Sequence, residues 1–128
     1  MIRYSSLENT DENELFSVFA EAFSDYMVPI NMTLERFTGN MKRNGYDCRV
    51  SAGAFSDGKL VGFIMSGRRV NDGIMSAYDM GTGVIPEYRS LGIAGNMIDH
   101  LKCLLDHEGV PRYLLEVIRD NERALNLY

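Results

Sequence analysis

Six consecutive residues, Arg89-Ser90-Leu91-Gly92-Ile93-Ala94, have the types and order of an anion cradle. They follow a strand-like run ending at Val84-Ile85-Pro86 and open an apolar-periodic run from Ile93 to Leu105. Pro86 has no N–H to give to a ladder, so the strand stops there. Gly92 permits a tight turn and brings the backbone close to a ligand with no Cβ in between. The helix that follows turns unpaired N–H groups and a positive dipole end toward the same point, and Arg89 adds a full charge. This combination suits a pyrophosphate. The same letters also fit an ordinary strand-to-helix turn with a solvated arginine.

Two other phosphate loops fail on residue type. Gly53, Gly58 and Lys59 have P-loop spacing, but Leu60 stands where the hydroxyl residue is needed and the segment reads as a hairpin. Gly81-Thr82-Gly83 begins a dinucleotide fingerprint, but its sixth position is Pro86 and no helix opens there.

One helix further on come Leu114-Leu115-Glu116-Val117-Ile118 and then Asn121-Glu122-Arg123-Ala124-Leu125-Asn126-Leu127-Tyr128. Ile-Pro-x-x-Arg-x-x-Gly-Ile-Ala, followed by Leu-Glu-Val and Asn-x-x-Ala-x-x-Leu-Tyr, resembles the GNAT (GCN5-related N-acetyltransferase) family. The likeness runs well from Asp79 to Tyr128 and only in outline before that. It implies an α/β fold with a mixed sheet. It also implies acetyl-coenzyme A as co-substrate, with no metal, and an amine acceptor, either a small molecule or a peptide. In such proteins the first motif holds the pyrophosphate and the second lines the thioester. The pantetheine arm pairs with the strand holding Thr82, Gly83 and Val84. The segment Asp25-Tyr26-Met27 resembles the border of the acceptor pocket.

Acetyl transfer from a thioester to an amine requires a positioned co-substrate, a deprotonated amine, a stabilised oxyanion and a protonated leaving thiolate. Backbone amides from Arg89 to Ala94 serve the first need, together with main-chain groups of Thr82, Gly83 and Val84. The Val84 N–H is the chosen oxyanion donor. Asn121, Ala124 and Tyr128 stand at i, i+3 and i+7 on one helical face. With the resemblance, Asn121 offers an amide to the pantetheine, Ala124 leaves it room, and the Tyr128 phenol is the acid. For the base, Glu116 is the one acid in its strand, pointing opposite to Leu115 and Val117. Asp79 on the preceding strand is a second candidate, and water a third. A non-catalytic acyl-coenzyme A binder, or a fragment completed by another chain, would use the same cradle.

The elements that position these groups are legible in outline. Ile2 to Leu7 reads as a strand. Thr10 is the expected N-cap of a helix from Asp11 to about Ser24, with Leu15, Phe16, Phe19, Ala22 and Phe23 on its core face. Pro29 breaks the chain, and Thr33 caps a second helix ended by Asn44-Gly45. Cys48–Phe55 and Lys59–Val70 read as strands joined through Asp57-Gly58, and Asp72-Gly73 leads into Ile74–Val84. Gly81 and Gly83 mark a bulge or a close approach in that strand. The helix from Gly92 to about His107 buries Ile93, Met97, Ile98, Leu101, Leu104 and Leu105, and Gly109 ends it. A strand over Arg112–Ile118, reached by a helical crossover, is expected to lie parallel to Ile74–Val84.

Composition narrows the remaining classes. The chain has 128 residues, with 45% apolar and 24% charged, as in an ordinary globular domain. A net charge of −5 argues against nucleic acid as partner and is compatible with a cationic amine. No run reaches the ~20 apolar residues of a membrane span, and the first residues lack a secretion signal's apolar core. Cytoplasmic residence is therefore the default expectation. Cys48 and Cys103 are too few for a disulfide framework or a zinc site. His100 and His107 read as solvated, and the eight methionines as core filling. Tyr128 falls inside a helical run without a cap, so the domain is read as 1–128 and truncated, lacking the C-terminal strands. The resulting bare edge would favour a homodimer.

Overall fold

The computed structural model describes residues 1–24 and 32–114. In chain order its elements are β1 (Ile2–Ser6), α1 (Glu12–Ala22), α2 (Leu34–Arg43), β2 (Ala52–Ser56), β3 (Lys59–Asn71), β4 (Ile74–Val84), α3 (Ile93–His107) and β5 (Arg112–Leu114). Its mixed α/β architecture is a five-stranded sheet in the order β1-β2-β3-β4-β5. The first three pairings are antiparallel, and β4 pairs with β5 in parallel, with Ser76 facing Arg112 and Tyr78 facing Leu114. The parallel pair is the expected result of a helical crossover. The rest of the predicted Arg112–Ile118 strand lies outside the described residues.

Both hairpins close as their letters require. Asp57 and Gly58 sit at φ +50° and +80°, Asp72 and Gly73 at +53° and +75°. Two consecutive positive φ values make type I′ turns, whose twist matches that of the flanking strands. The predicted irregularity in β4 is a bulge. Ser66 pairs with Asp79 and Met65 with Gly81, so Met80 is the extra residue.

Two boundaries differ from the expectation. The first helix is capped by Asp11 and not Thr10: the Asp11 carboxylate accepts the Glu14 N–H at 2.8 Å, while the Thr10 N–H is spent on the Leu7 carbonyl. A carboxylate adds favourable charge at the helix's positive end. Second, Cys48–Val50 forms a 3₁₀ turn and the strand begins only at Ala52. The Asp47 side chain accepts the Arg49 N–H at 3.0 Å, and the Ser51 hydroxyl donates to the Asp47 carbonyl at 2.8 Å. Such local bonds compete with a ladder.

The core has two layers, one on each face of the sheet. On one face α1 and α2 bring Phe16, Phe19, Phe23 and Phe37 together above Phe63, with ring centroids 4.9–6.5 Å apart. On the other, α3 buries Ile93, Met97, Ile98, Leu101 and Leu105, while Leu104 is only partly covered. Neighbouring strand residues divide the work: a Cβ on Gly62 would meet the Met97 sulfur, and one on Gly83 would meet the Phe63 ring and Ala22.

Candidate active site

After β4 the chain makes a 3₁₀ turn over Pro86–Tyr88 and enters α3 through Arg89–Gly92. Ser90 adopts φ +65° and Gly92 φ +76°. A left-handed serine costs about 1 kcal/mol, so the surrounding structure must hold it. Arg89 supplies that hold. Its Nε donates to the Val84 carbonyl at 3.1 Å and its guanidinium to the Ala22 carbonyl at 2.5 Å. The Arg89 N–H donates to the Pro86 carbonyl at 3.3 Å. Arg89 is thus engaged within the protein, tying the turn to the end of β4 and to the last residue of α1.

The donors that face outward lie one step further along. Gly92 is the N-cap of α3 and no side chain caps the helix. The first helical amide with a backbone partner is that of Asn96, which donates to the Gly92 carbonyl at 3.1 Å. The amides of Ile93, Ala94 and Gly95 precede it in the helix's positive first turn, where intrahelical acceptors are lacking. A Cβ at Gly92 or Gly95 would meet nothing within 4 Å, so the space over the turn is open. Ser90 and Leu91 flank it, and Leu91 is 63% exposed. This geometry fits a diphosphate. Gly95 was not among the residues read from the sequence; its position as the third helical residue is the signal that would have found it.

Thr82, Gly83 and Val84 run along β4 opposite Ile64, Phe63 and Gly62. The Ile85 N–H donates to the Val61 carbonyl at 3.0 Å, and alternation then turns the N–H and C=O of Val84 away from β3. Gly83 is required at its position by the close approach of α1 and Phe63, which a Cβ would meet at 2.9–3.0 Å. Asp79, at the bulge, accepts the Gly81 N–H and the Thr82 hydroxyl, each at 3.1 Å. Glu116, Asn121, Ala124, Tyr128 and the Asp25–Met27 segment lie outside the described residues.

A cavity of about 410 Å³ opens beside this bulge. Phe19 of α1, Met32, and Phe37 and Met41 of α2 form one side, with Asn40 and Asn44 at their edge. Met65 of β3 and Tyr78, Asp79 and Met80 of β4 form the other. The methionines are therefore more than scattered filling: Met32, Met41, Met65 and Met80 line one cavity. Their separation along the chain hid this.

The five-stranded sheet and its helices superpose on solved acetyltransferases. The crystal structure of the ribosomal-protein-S18-alanine N-acetyltransferase from Escherichia coli superposes with a TM-score of 0.71, is 26% identical, and the match covers 100% of this chain and 74% of that one. AAC(6′)-Iy in complex with the bisubstrate analogue CoA-S-monomethyl-acetylneamine gives a TM-score of 0.71 at 15% identity, over 99% of this chain and 86% of that one. An acetyltransferase of Pectobacterium atrosepticum is 36% identical over 72 residues, which is 56% of this chain and 48% of that protein. The chain spans about half the length of the curated relatives it matches. The family model for the acetyltransferase (GNAT) family matches residues 10–128, and the chain belongs to that family.

Proposed function

We propose that the protein transfers an acetyl group from acetyl-coenzyme A to a primary amine, directly, within a ternary complex. The observation that carries this reading is the open amide turn at the start of α3, in a chain of the GNAT family. The amides of Leu91 to Gly95 hold the pyrophosphate, with Ser90 shaping the turn, and Arg89 keeps it in place. Main-chain groups of Thr82, Gly83 and Val84 align the pantetheine, and the Val84 N–H donates to the carbonyl oxygen as negative charge develops there. Acetyl-coenzyme A supplies the activated acyl carbon and a thiolate leaving group.

Glu116 accepts the proton of the amine, with Asp79 as the second candidate. The amine nitrogen bonds to the acyl carbon as the carbon–sulfur bond breaks, and Tyr128 returns a proton to the departing sulfur. Asn121 binds the pantetheine, and Ala124 leaves it room. The relative solved with the CoA-S-monomethyl-acetylneamine analogue supports coenzyme A as the ligand.

Coenzyme A should raise the melting temperature of the wild-type chain, and Gly92→Asp should abolish that shift by placing a carboxylate at the phosphates. A folded wild-type chain with no shift at saturating coenzyme A rejects the cradle. Tyr128→Phe should lower kcat by about 100-fold with little change in coenzyme A affinity. Glu116→Gln should remove the acidic limb of the pH–rate profile; an unchanged limb assigns the proton to Asp79 or water.

A further inference from the structure

We infer that Arg89 is a positioning residue that couples the turn before α3 to the seating of α1, so that coenzyme A bound at the turn also tightens the end of that helix. This rests on the reading above of the turn as a coenzyme A site.

α1 has no basic residue in its last turn. The Phe23 N–H donates to the Phe19 carbonyl at 3.2 Å and the Ser24 hydroxyl to the Glu21 carbonyl at 2.7 Å. The Ala22 carbonyl instead receives the guanidinium of Arg89, 67 residues further along the chain, at 2.5 Å. A cation at this end meets both the last carbonyls and the negative end of the helix dipole. Nε of the same side chain donates to the Val84 carbonyl at 3.1 Å. A planar guanidinium holds two carbonyls in one fixed geometry, which the point charge of an ammonium does not.

A second contact joins the same two elements independently of Arg89. A Cβ on Gly83 would lie 3.0 Å from the Ala22 Cβ and 2.9 Å from the Phe63 ring, so the buried end of α1 rests directly on β4. The helix end cannot shift without disturbing either Gly83 or the Arg89 fork. Arg89 in turn cannot let go of Ala22 without loosening the residue after it, Ser90, which is held at φ +65°. Phe19, three residues before Ala22, packs on Phe23, Phe37 and Phe63 and lines the cavity. Arg89 therefore connects the turn with the aromatic layer over the sheet. A ligand that favours the held shape of the turn also favours the seated helix, to the extent that the two are coupled.

The test is hydrogen exchange of the whole chain with and without saturating coenzyme A. In the wild type, amides of Phe19–Ser24 should exchange about tenfold more slowly with the ligand, together with those of Ile93–Gly95. Arg89→Lys and Arg89→Gln should each bind coenzyme A about tenfold more weakly by titration calorimetry. At saturation they should still protect Ile93–Gly95 but leave exchange in α1 unchanged. A side chain that merely stabilised the fold would leave this ligand response intact. Arg89→Lys with wild-type affinity and a wild-type response in α1 would assign the role to charge alone and overturn the inference. Coenzyme A that protects the wild-type turn but not α1 also overturns it, and leaves the coenzyme A site standing. A wild-type chain that does not bind coenzyme A rejects both together. The wild-type comparison needs no variant, so a substitution that prevents folding still leaves a deciding result.

Discussion

The two ends of α3 are built on opposite plans. At its C-terminus the protein completes itself: the Gly109 N–H donates to the Asp106 carbonyl at 3.2 Å and the Val110 N–H to the Leu105 carbonyl at 2.9 Å, around a left-handed Gly109. These are the paired bonds of a Schellman cap. Just beyond, the Glu108 carboxylate accepts from Arg68 at 2.9 Å. Arg68 Nε approaches Asp47 Oδ2 at 3.1 Å, an ion pair without hydrogen-bond alignment. At the N-terminus a left-handed Gly92 opens the helix with no cap, and a left-handed Ser90 precedes it. One end has its polar groups met by the chain; the other presents them. Stability should therefore reside at the closed end, and ligand response at the open one.

The largest effect expected from this contrast is at Gly67, beside Arg68. A Cβ there would lie 2.3 Å from the Tyr78 ring and 2.7 Å from the Asn44 carbonyl, neither able to retreat freely. Gly67→Ala should cost about 3 kcal/mol in chemical denaturation, at the upper end for overpacking. Arg68→Ala comes next, with a smaller loss, since it takes the hydrogen-bond donor from Glu108 and one of two cations from Asp47 and leaves Arg49 to both. A matched pair sharpens the comparison: Gly92→Ala and Gly109→Ala both force alanine into a left-handed residue with open space around it. Each should cost about 1 kcal/mol, yet only the first should reduce the coenzyme A thermal shift. Equal shifts in the two variants would break the contrast.

The smallest effect is on pH. Burial pushes the Asp47 carboxyl up, but the Arg49 side chain and amide and the Arg68 charge outweigh it and hold it below its usual value. The Arg68 hydrogen bond holds Glu108 down. Depressed carboxyls contribute stability above their unfolded values, and it is lost as pH falls through the folded ones. The wild-type chain should therefore lose stability below about pH 4 more steeply than Arg68→Ala, as thermal melts across that range would record. Parallel curves would remove the network from the account.

Local chemistry made much of this fold legible. Asp57-Gly58 and Asp72-Gly73 announce their turns because few other pairs tolerate two positive φ values, and Gly92 announces the opening of α3 for the same reason. What misled was competition between neighbours: Thr10 and Asp11 are both capping residues, and the Asp47 side chain captures a segment that alternates like a strand. The turn between β4 and α3 was legible as a place, but the engagement of Arg89 with Ala22 depends on a helix end distant in sequence, and no spacing rule reports that. The cavity escaped for a similar reason, because its walls come from four elements.

The pairing scheme of the sheet also sets an order of assembly. The β2-β3-β4 meander is stitched by two-residue turns, so its contacts close over short stretches of chain. Ile2, by contrast, must find Ser56, and Arg112 must return to Ser76 across the whole of α3. Loop-closure entropy makes such distant pairings late and slow relative to hairpins. The two flanking strands should thus be the first to release under native conditions. Hydrogen exchange would show it: amides of β1 and β5 exchanging through smaller openings than those of β3, with the meander surviving as the most protected unit. Uniform protection across all five strands would mean that the sheet opens as one cooperative body.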